Sequence, residues 1–326
     1  MNKAETLRLK LVGLLALAIL SSCTREIHKL TDSSWNRSAI ASSQVAVTMS
    51  ETEIPLHPQR IVAIHWYAAE VATALGVKLI GLPRGSLILF DPQRKLGNIP
   101  DVGWPVNIEK VLALKPDLIL GSLGWYKDTQ HLWSKIAPTF LDSLSDRGKW
   151  KQSFTQLAQV LGKTQEAEEV IARYNARINE FKEKMGSRLK TTKVSVVQIT
   201  PGTISLLGKK DFSGVIIEDV GLERPKSQNL DEKAALKLGV KPQMYPLSAE
   251  LLPQMDADFL FVTTSLSKGK TESDRLLKQL TTVPLWSKLK AVQNSKVHVV
   301  GEYWHAGSYL AADRVLDDLF RYLLLE

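Results

Sequence analysis

An α/β fold of two lobes, each with a mainly parallel sheet flanked by helices and joined by one long spine helix, is predicted by three features of the sequence. Short β-type runs alternate with amphipathic helical runs from Arg60 onward, the order that lays parallel strands beneath crossover helices. A glutamate, an aspartate eight positions later and then an apolar run occur on both sides of the chain centre, as Glu109 with Asp117 and as Glu250 with Asp258. Between the copies lies Thr164 to Lys190. There Val170, Tyr174, Ile178, Phe181, Met185 and Leu189 recur at steps of three and four, giving one apolar stripe on an otherwise charged helix.

Taken in order, residues 1–22 read as a cleavable leader. Lys3, Arg8 and Lys10 form a basic start, and Leu11 to Leu20 is an apolar run too short to span a bilayer. Leu20-Ser21-Ser22-Cys23 follows and resembles the lipobox of bacterial lipoproteins. That resemblance implies cleavage before Cys23, lipidation of its thiol and an exported chain anchored to the cell membrane, two acyl chains being enough for stable anchoring. Residues 23–52, rich in Ser and Thr without a sustained period, read as a tether. Cys23 is the single cysteine, so an exported chain of this kind has no disulfide framework and must be stabilised by its cores.

The first lobe is placed at 53–162. RIVAIHW is a strand, AAEVATALG a helix stopped by Gly76, KLIGLP a strand, and NIEKVLAL a helix capped by Asn107. LILGSL, a helical YKDTQHLWSKIA, TFLDSL and a helical KWKQSFTQLAQVLG continue the alternation. The spine occupies 163–190, with Thr164 as a cap, Glu166, Glu168 and Glu169 near its positive end, and Arg188 and Lys190 near its negative end. The second lobe, 191–326, holds the strand KVSVVQIT, the helix DFSGVIIEDVG, the strands FLFVTT and KVHVVG, and a closing amphipathic helix from Leu310. Ala74-Leu75-Gly76-Val77 and Asp219-Val220-Gly221-Leu222 match as helix ends, and Asn107 and Ser248 match as N-caps two residues before each glutamate.

Composition narrows the function. The 326 residues are 44% hydrophobic and 23% charged, an ordinary globular mixture, and the net charge of +8 admits an anionic ligand. No Lys/Arg run interleaved with aromatics is present, which argues against nucleic acid. There is no G-x-S-x-G elbow, no H-E-x-x-H, no P-loop and no cysteine pair. The six histidines, His28, His57, His65, His131, His298 and His305, show no ligand spacing. A zinc site would need distant residues such as His65, His131 and His305. No catalytic residue, metal site or cofactor is assigned. Aromatic and cationic residues instead gather where strands end: Trp66 and Tyr67, Arg84, Trp104 before NIEKVLAL, Trp125 and Tyr126, and Tyr303, Trp304 and His305. Ligands of open α/β sheets bind beyond those ends, so these are the candidate binding residues.

PQRIVAIHWYAAEVATALGVKLIGL, DVGWPVNIEKVLALKPDLILGS, the spine, VSVVQITPGTISLLGKKDFSGVIIEDVGLERP, SAELLPQMDADFLFVTT and PLWSKLKAVQNSKVHVVGEYWHAGSYLAADRVLDDL together resemble a known family. It is that of the periplasmic binding proteins of ATP-driven importers for iron siderophores, ferric citrate, haem and cobalamin, the class with a helical backbone between lobes. The resemblance implies a monomer that captures an iron(III)-siderophore complex in an inter-lobe cleft and hands it to ABC permease and ATPase subunits without catalysis. It also implies that Glu109 and Glu250 pair with permease arginines, one per lobe. The chain departs from the family at Gln198, a further candidate binding residue on the strand after the spine, where many relatives have an arginine; Lys209 and Arg224 are candidate compensations. Haem or cobalamin is the alternative ligand, with His65, Tyr126 or His305 as the axial donor haem would need, and an exported hydrolase is the alternative of another class.

Overall fold

Strands in this chain are apolar on both faces, and the alternation of side chains assigns each face to a different layer. In the computed structural model, which describes residues 54–55, 57–87, 98–142, 146–200, 203–264 and 270–324, β1 is Ile61–Ala63. Ile61 and Ala63 join one buried cluster while Val62 and Ile64 join another. The helix α1, Trp66–Ala74, follows, then β2, Leu79–Gly81, and α2, Ile108–Ala113. β3, Leu118–Ser122, and β4, Thr139–Asp142, complete an all-parallel sheet of order β2-β1-β3-β4. α3, Trp150–Val160, leads into α4, Thr164–Met185. The leader, Cys23 and the tether lie outside the described residues.

α4 is the spine. Its buried side chains are Ala167, Val170, Tyr174, Ile178, Phe181 and Met185, the expected stripe with Ala167 added and Leu189, half-buried beyond the helix end, left out. The α-helix stops at Met185, short of the expected Lys190, and residues 186–190 tighten into a 3-10 turn beginning at Gly186, whose φ is +54°. At about 1.5 Å per residue, α4 is roughly 33 Å long. Thr164 is the first helical residue and not the cap; Lys163 precedes it with no side-chain cap bond. The stripe divides between two cores. Ala167 and Val170 pack with β1, β3, α1 and α3, whereas Tyr174, Ile178, Phe181 and Met185 pack with the second sheet.

That second sheet has the order β7-β6-β5-β8-β9. β5, Val194–Thr200, β8, Phe259–Thr264, and β9, Val297–Val300, run parallel, but β6, Thr203–Leu207, and β7, Met244–Leu247, are antiparallel additions. The sheet is therefore mixed where a mainly parallel one was expected. β6 returns against β5 immediately, so no crossover helix separates them. Helices α5, Phe212–Asp219, and α7, Tyr309–Leu324, cover one face, and α6, Lys270–Thr281, lies towards the other.

The internal repeat is visible in atomic detail. Asp117 accepts the backbone N–H groups of Gln59 (2.8 Å) and Arg60 (2.9 Å) at the entrance to β1. Asp258 accepts the N–H of Lys193 (2.7 Å) at the entrance to β5 and pairs with Lys290 Nζ (2.5 Å). Each aspartate therefore fixes the start of a central strand beside the strand it opens, where otherwise unpaired backbone donors would be costly. α1 and α5 also end alike. Gly76 and Gly221 have φ of +70° and +77°, conformations open to glycine, and the next residue's N–H returns to the carbonyl five positions back, Val77 to Ala72 and Leu222 to Ile217.

Candidate functional site

A cavity of about 300 Å³ opens beyond the carboxyl ends of β1, β3 and β4, at the junction of the halves. That is the location expected for ligands of a parallel sheet and near the lower limit of small-molecule sites. Its walls are His65, Trp66 and Tyr67 after β1, Ser122, Gly124 and Trp125 after β3, and Asp142, Asp146 and Arg147 at the end of β4. Trp150 and Ser153 of α3 close one side, and Ala306 and Gly307 are the contribution of the second half.

The aromatic side chains form a continuous series. Ring centroids are 6.0 Å apart for Tyr67 and Trp66, 5.2 Å for Trp66 and His65, 5.9 Å for His65 and Trp125, and 5.3 Å for Trp125 and Trp104. Trp125 is 64% exposed and Trp104 41% exposed, large apolar surfaces left to water beside a cavity. Such surfaces are typical of recognition sites, where flat rings supply contact area at small entropic cost.

Polar groups lie behind the rings. His65 is buried, and both of its ring nitrogens are without a hydrogen-bond partner. Burial and then the positive charge of Arg147 depress its pKa to about 4, so the imidazole is neutral over the physiological range. Burial, followed by the Asp142 carboxylate, pushes the Tyr67 phenol well above its usual range and keeps it protonated. Ser153 Oγ donates to Asp142 Oδ2. Arg147 meets His305 Nε2, and His305 Nδ1 stands 2.7 Å from Oδ1 of Asp211, the buried N-cap of α5. This chain of contacts joins the halves at the cavity rim. Gly307, at φ +90°, passes so close that an added Cβ would stand 3.0 Å from Arg147 Cβ.

Of the sequence candidates, Trp66, Tyr67 and Trp125 line the cavity, and Trp104 extends the wall by its contact with Trp125. His305 stands behind the rim through Arg147. The others are placed differently. Arg84 does not line the cavity; its Nε donates to Ile99 O (2.9 Å) and its backbone N–H to Asp101 (3.0 Å). Tyr126 is turned away, donating to Ile64 O (2.6 Å) and packing edge-on against Trp133. Gln198 shares the sheet face of Val194 and Val196 but does not reach the cavity lining. Tyr303 and Trp304 both donate to Asp318 at 2.7 Å; Trp304 is fully buried and stacks on Phe261 at 4.3 Å, so it is a core residue. Asp142 ends β4 and Asp146 and Arg147 follow it; the two aspartates escape a reading keyed to aromatic and cationic side chains, whereas Arg147 fits that rule and was missed. Trp150 and Ser153 are contributed by a helix and carry no such signal.

Glu109 and Glu250 are both exposed and away from the cavity. Glu109 is in the first turn of α2, where Asn107 Oδ1 accepts the Lys110 N–H (3.0 Å). Glu250 belongs to a 3-10 segment, Ala249–Met255, interrupted by Pro253. Its own N–H and then the Ser248 hydroxyl hold its carboxyl below the usual range, so Ser248 serves the glutamate and not the helix cap.

The sequence pattern of the periplasmic binding protein family matches residues 61–303. The chain is 31% identical over 327 aligned positions, 96% of each protein, to the probable siderophore-binding lipoprotein YfiY of Bacillus subtilis. Its fold matches the crystal structure of Staphylococcus aureus SirA complexed with staphyloferrin B, with a TM-score of 0.68 and 29% identity over 83% of this chain and 95% of that one. It also matches the triscatecholate siderophore binding protein FeuA of Bacillus subtilis, complexed with ferri-bacillibactin, with a TM-score of 0.65 and 26% identity over 84% of this chain and 95% of that one. With the family pattern spanning both sheets and the spine between them, the chain belongs to the periplasmic binding protein family.

Proposed function

We propose that this protein captures an iron(III)-siderophore complex in the cavity and delivers it to the permease of an ATP-driven importer, with no catalytic step. The observation that carries the reading is the exposed aromatic wall at the strand ends, in a chain that matches siderophore-binding proteins over nearly its whole length. Trp66, Tyr67, Trp104 and Trp125 would hold the chelate, and Arg147, engaged with His305, would fix the rim beside it. Cys23 would carry the lipid that keeps the protein at the membrane. Glu109 and Glu250 would dock it, one to each permease subunit, through exposed charges whose attraction weakens with salt.

Titration of the full-length protein in detergent micelles with ferric siderophores, haem and cobalamin, followed by tryptophan fluorescence, tests this reading. Quenching at micromolar or lower concentration by a ferric siderophore is expected. Binding of haem or cobalamin alone, or turnover of any substrate, would overturn it. The unpartnered imidazole of His65 favours haem as the second reading; that reading requires a Soret band that shifts in His65→Ala.

A further inference from the structure

The cavity is poorly suited to an anion. Among the described residues that line it, Asp142 and Asp146 carry carboxylates and Arg147 carries the cationic group, which is already engaged with His305 in front of Asp211. Glu70 is buried close enough to Tyr67 to raise its pKa, adding a further acidic group behind the wall. The cations that sequence alone offers as substitutes are committed elsewhere. Lys209 pairs with Glu218 at 2.8 Å, and Arg224 is buried on the carbonyls of Leu207 and Gly208 and on Gln228. Arg84 holds the turn at Ile99, and Gln198 brings no charge to its strand.

What remains is uncharged or electron-rich. The faces of Trp66, Trp104 and Trp125 have negative quadrupoles that attract cations and disfavour anions. Neutral His65 and the buried, unpartnered Nε1 of Trp150 are hydrogen-bonding groups in the cavity wall that require no ligand charge. Three hydroxamates neutralise iron(III), whereas three catecholates leave a trianion and citrate-type donors also leave negative charge. We infer that the cavity selects an electroneutral or singly positive ferric chelate of the hydroxamate class, with His65 and Trp150 as its neutral polar contacts. This assignment rests on the ferric-siderophore reading and specifies its ligand class.

Four probes separate the two statements: ferrichrome, which is neutral, ferrioxamine B, a monocation, ferric enterobactin, a trianion, and ferric citrate. Each is titrated into the full-length protein in micelles. The first two should bind roughly tenfold or more tightly than the last two. Asp146→Asn, which keeps an acceptor for the Gly148 N–H (3.0 Å), and Asp142→Asn, which keeps one for Ser153, should each narrow that gap by about threefold. Tightest binding of the trianion or of ferric citrate, or an unchanged gap in both variants, would overturn the charge assignment and leave the siderophore function standing. Binding of none of the four would remove the siderophore function and the ligand class together.

Discussion

The two halves place their strand-end aromatic residues in opposite ways. In the first half Trp66, Tyr67 and Trp125 face a cavity, and Trp104 leans on Trp125 from outside. In the second half Tyr303 and Trp304 turn inward to Asp318 on α7, and Trp304 stacks on Phe261. The deciding difference is a half-buried acceptor. An indole N–H or phenol next to an apolar core goes inside when a carboxylate there accepts its hydrogen bond, and Asp318 does so although burial raises its pKa. The second half therefore meets the cavity with Ala306 and Gly307, small residues that let Arg147 approach. Repeated architecture does not make the halves equal partners in ligand contact.

At the outer surface the halves should be equivalent, and the largest expected effect tests that. Glu109→Ala with Glu250→Ala should abolish uptake in reconstituted vesicles while leaving chelate affinity within about twofold. Each single change should leave intermediate uptake. A normal double mutant would return Glu109 to favouring its helix dipole and Glu250 to its local hydrogen bonds.

Trp304→Ala should destabilise the protein by about 3–5 kcal/mol in urea unfolding, the usual result of emptying a large buried aromatic site. Unchanged stability would contradict its core placement. Asp258→Ala and Asp117→Ala come next, at about 1–3 kcal/mol each, because each leaves strand-entrance donors without their carboxylate. The Asp258 contribution depends on pH. Burial alone would raise the Asp258 pKa, but the Lys290 ammonium and the Lys193 N–H more than offset it, and the carboxyl sits below its usual range. A depressed folded pKa means the contribution is complete above the unfolded pKa and disappears as pH falls through the folded one. Stability curves of wild type and Asp258→Asn should accordingly converge in acid and diverge towards neutrality. The smallest effect belongs to Trp125→Ala: affinity for the chelate should fall by about tenfold, or about 1.4 kcal/mol, with stability within about 0.5 kcal/mol. The opposite pattern, lost stability and kept affinity, would erase the contrast with Trp304.

Much of the fold was legible because its cues are local. Asn107 and Asp211 cap their helices, Gly76 and Gly221 end theirs, and the alternation of apolar residues locates the central strands. Where longer-range packing decides, the reading diverges. The helix expected over YKDTQHLWSKIA is reduced to a 3-10 turn, Lys127–Thr129, and the short Gln130–Trp133, after a separate turn Leu123–Tyr126, since Tyr126 is drawn to Ile64 O and Trp133 into the core. β6 and β7 are five and four residues long and gain their stability from each other and from β5, so neither announces itself alone. Glu250 matches Glu109 in sequence but not in helix type, because Pro253 lacks the N–H that a regular helix would use. The site was half visible for the same reason. Position after a strand can be read from sequence, whereas the direction of a ring depends on an acceptor such as Asp318, contributed 14 residues away in sequence from Trp304.

The division of α4 between two cores has a mechanical consequence. Its Ala167 and Val170 are set in one body, and Tyr174, Ile178, Phe181 and Met185 in the other, so the segment that crosses from the first sheet to the second is clamped at both ends. A loop hinge swings freely because a few residues absorb large changes in φ and ψ; a clamped helical rod can only flex, and flexing strains every turn. Ligand capture should therefore produce a short stroke, with the loaded state signalled by the arrangement of loops at the rim.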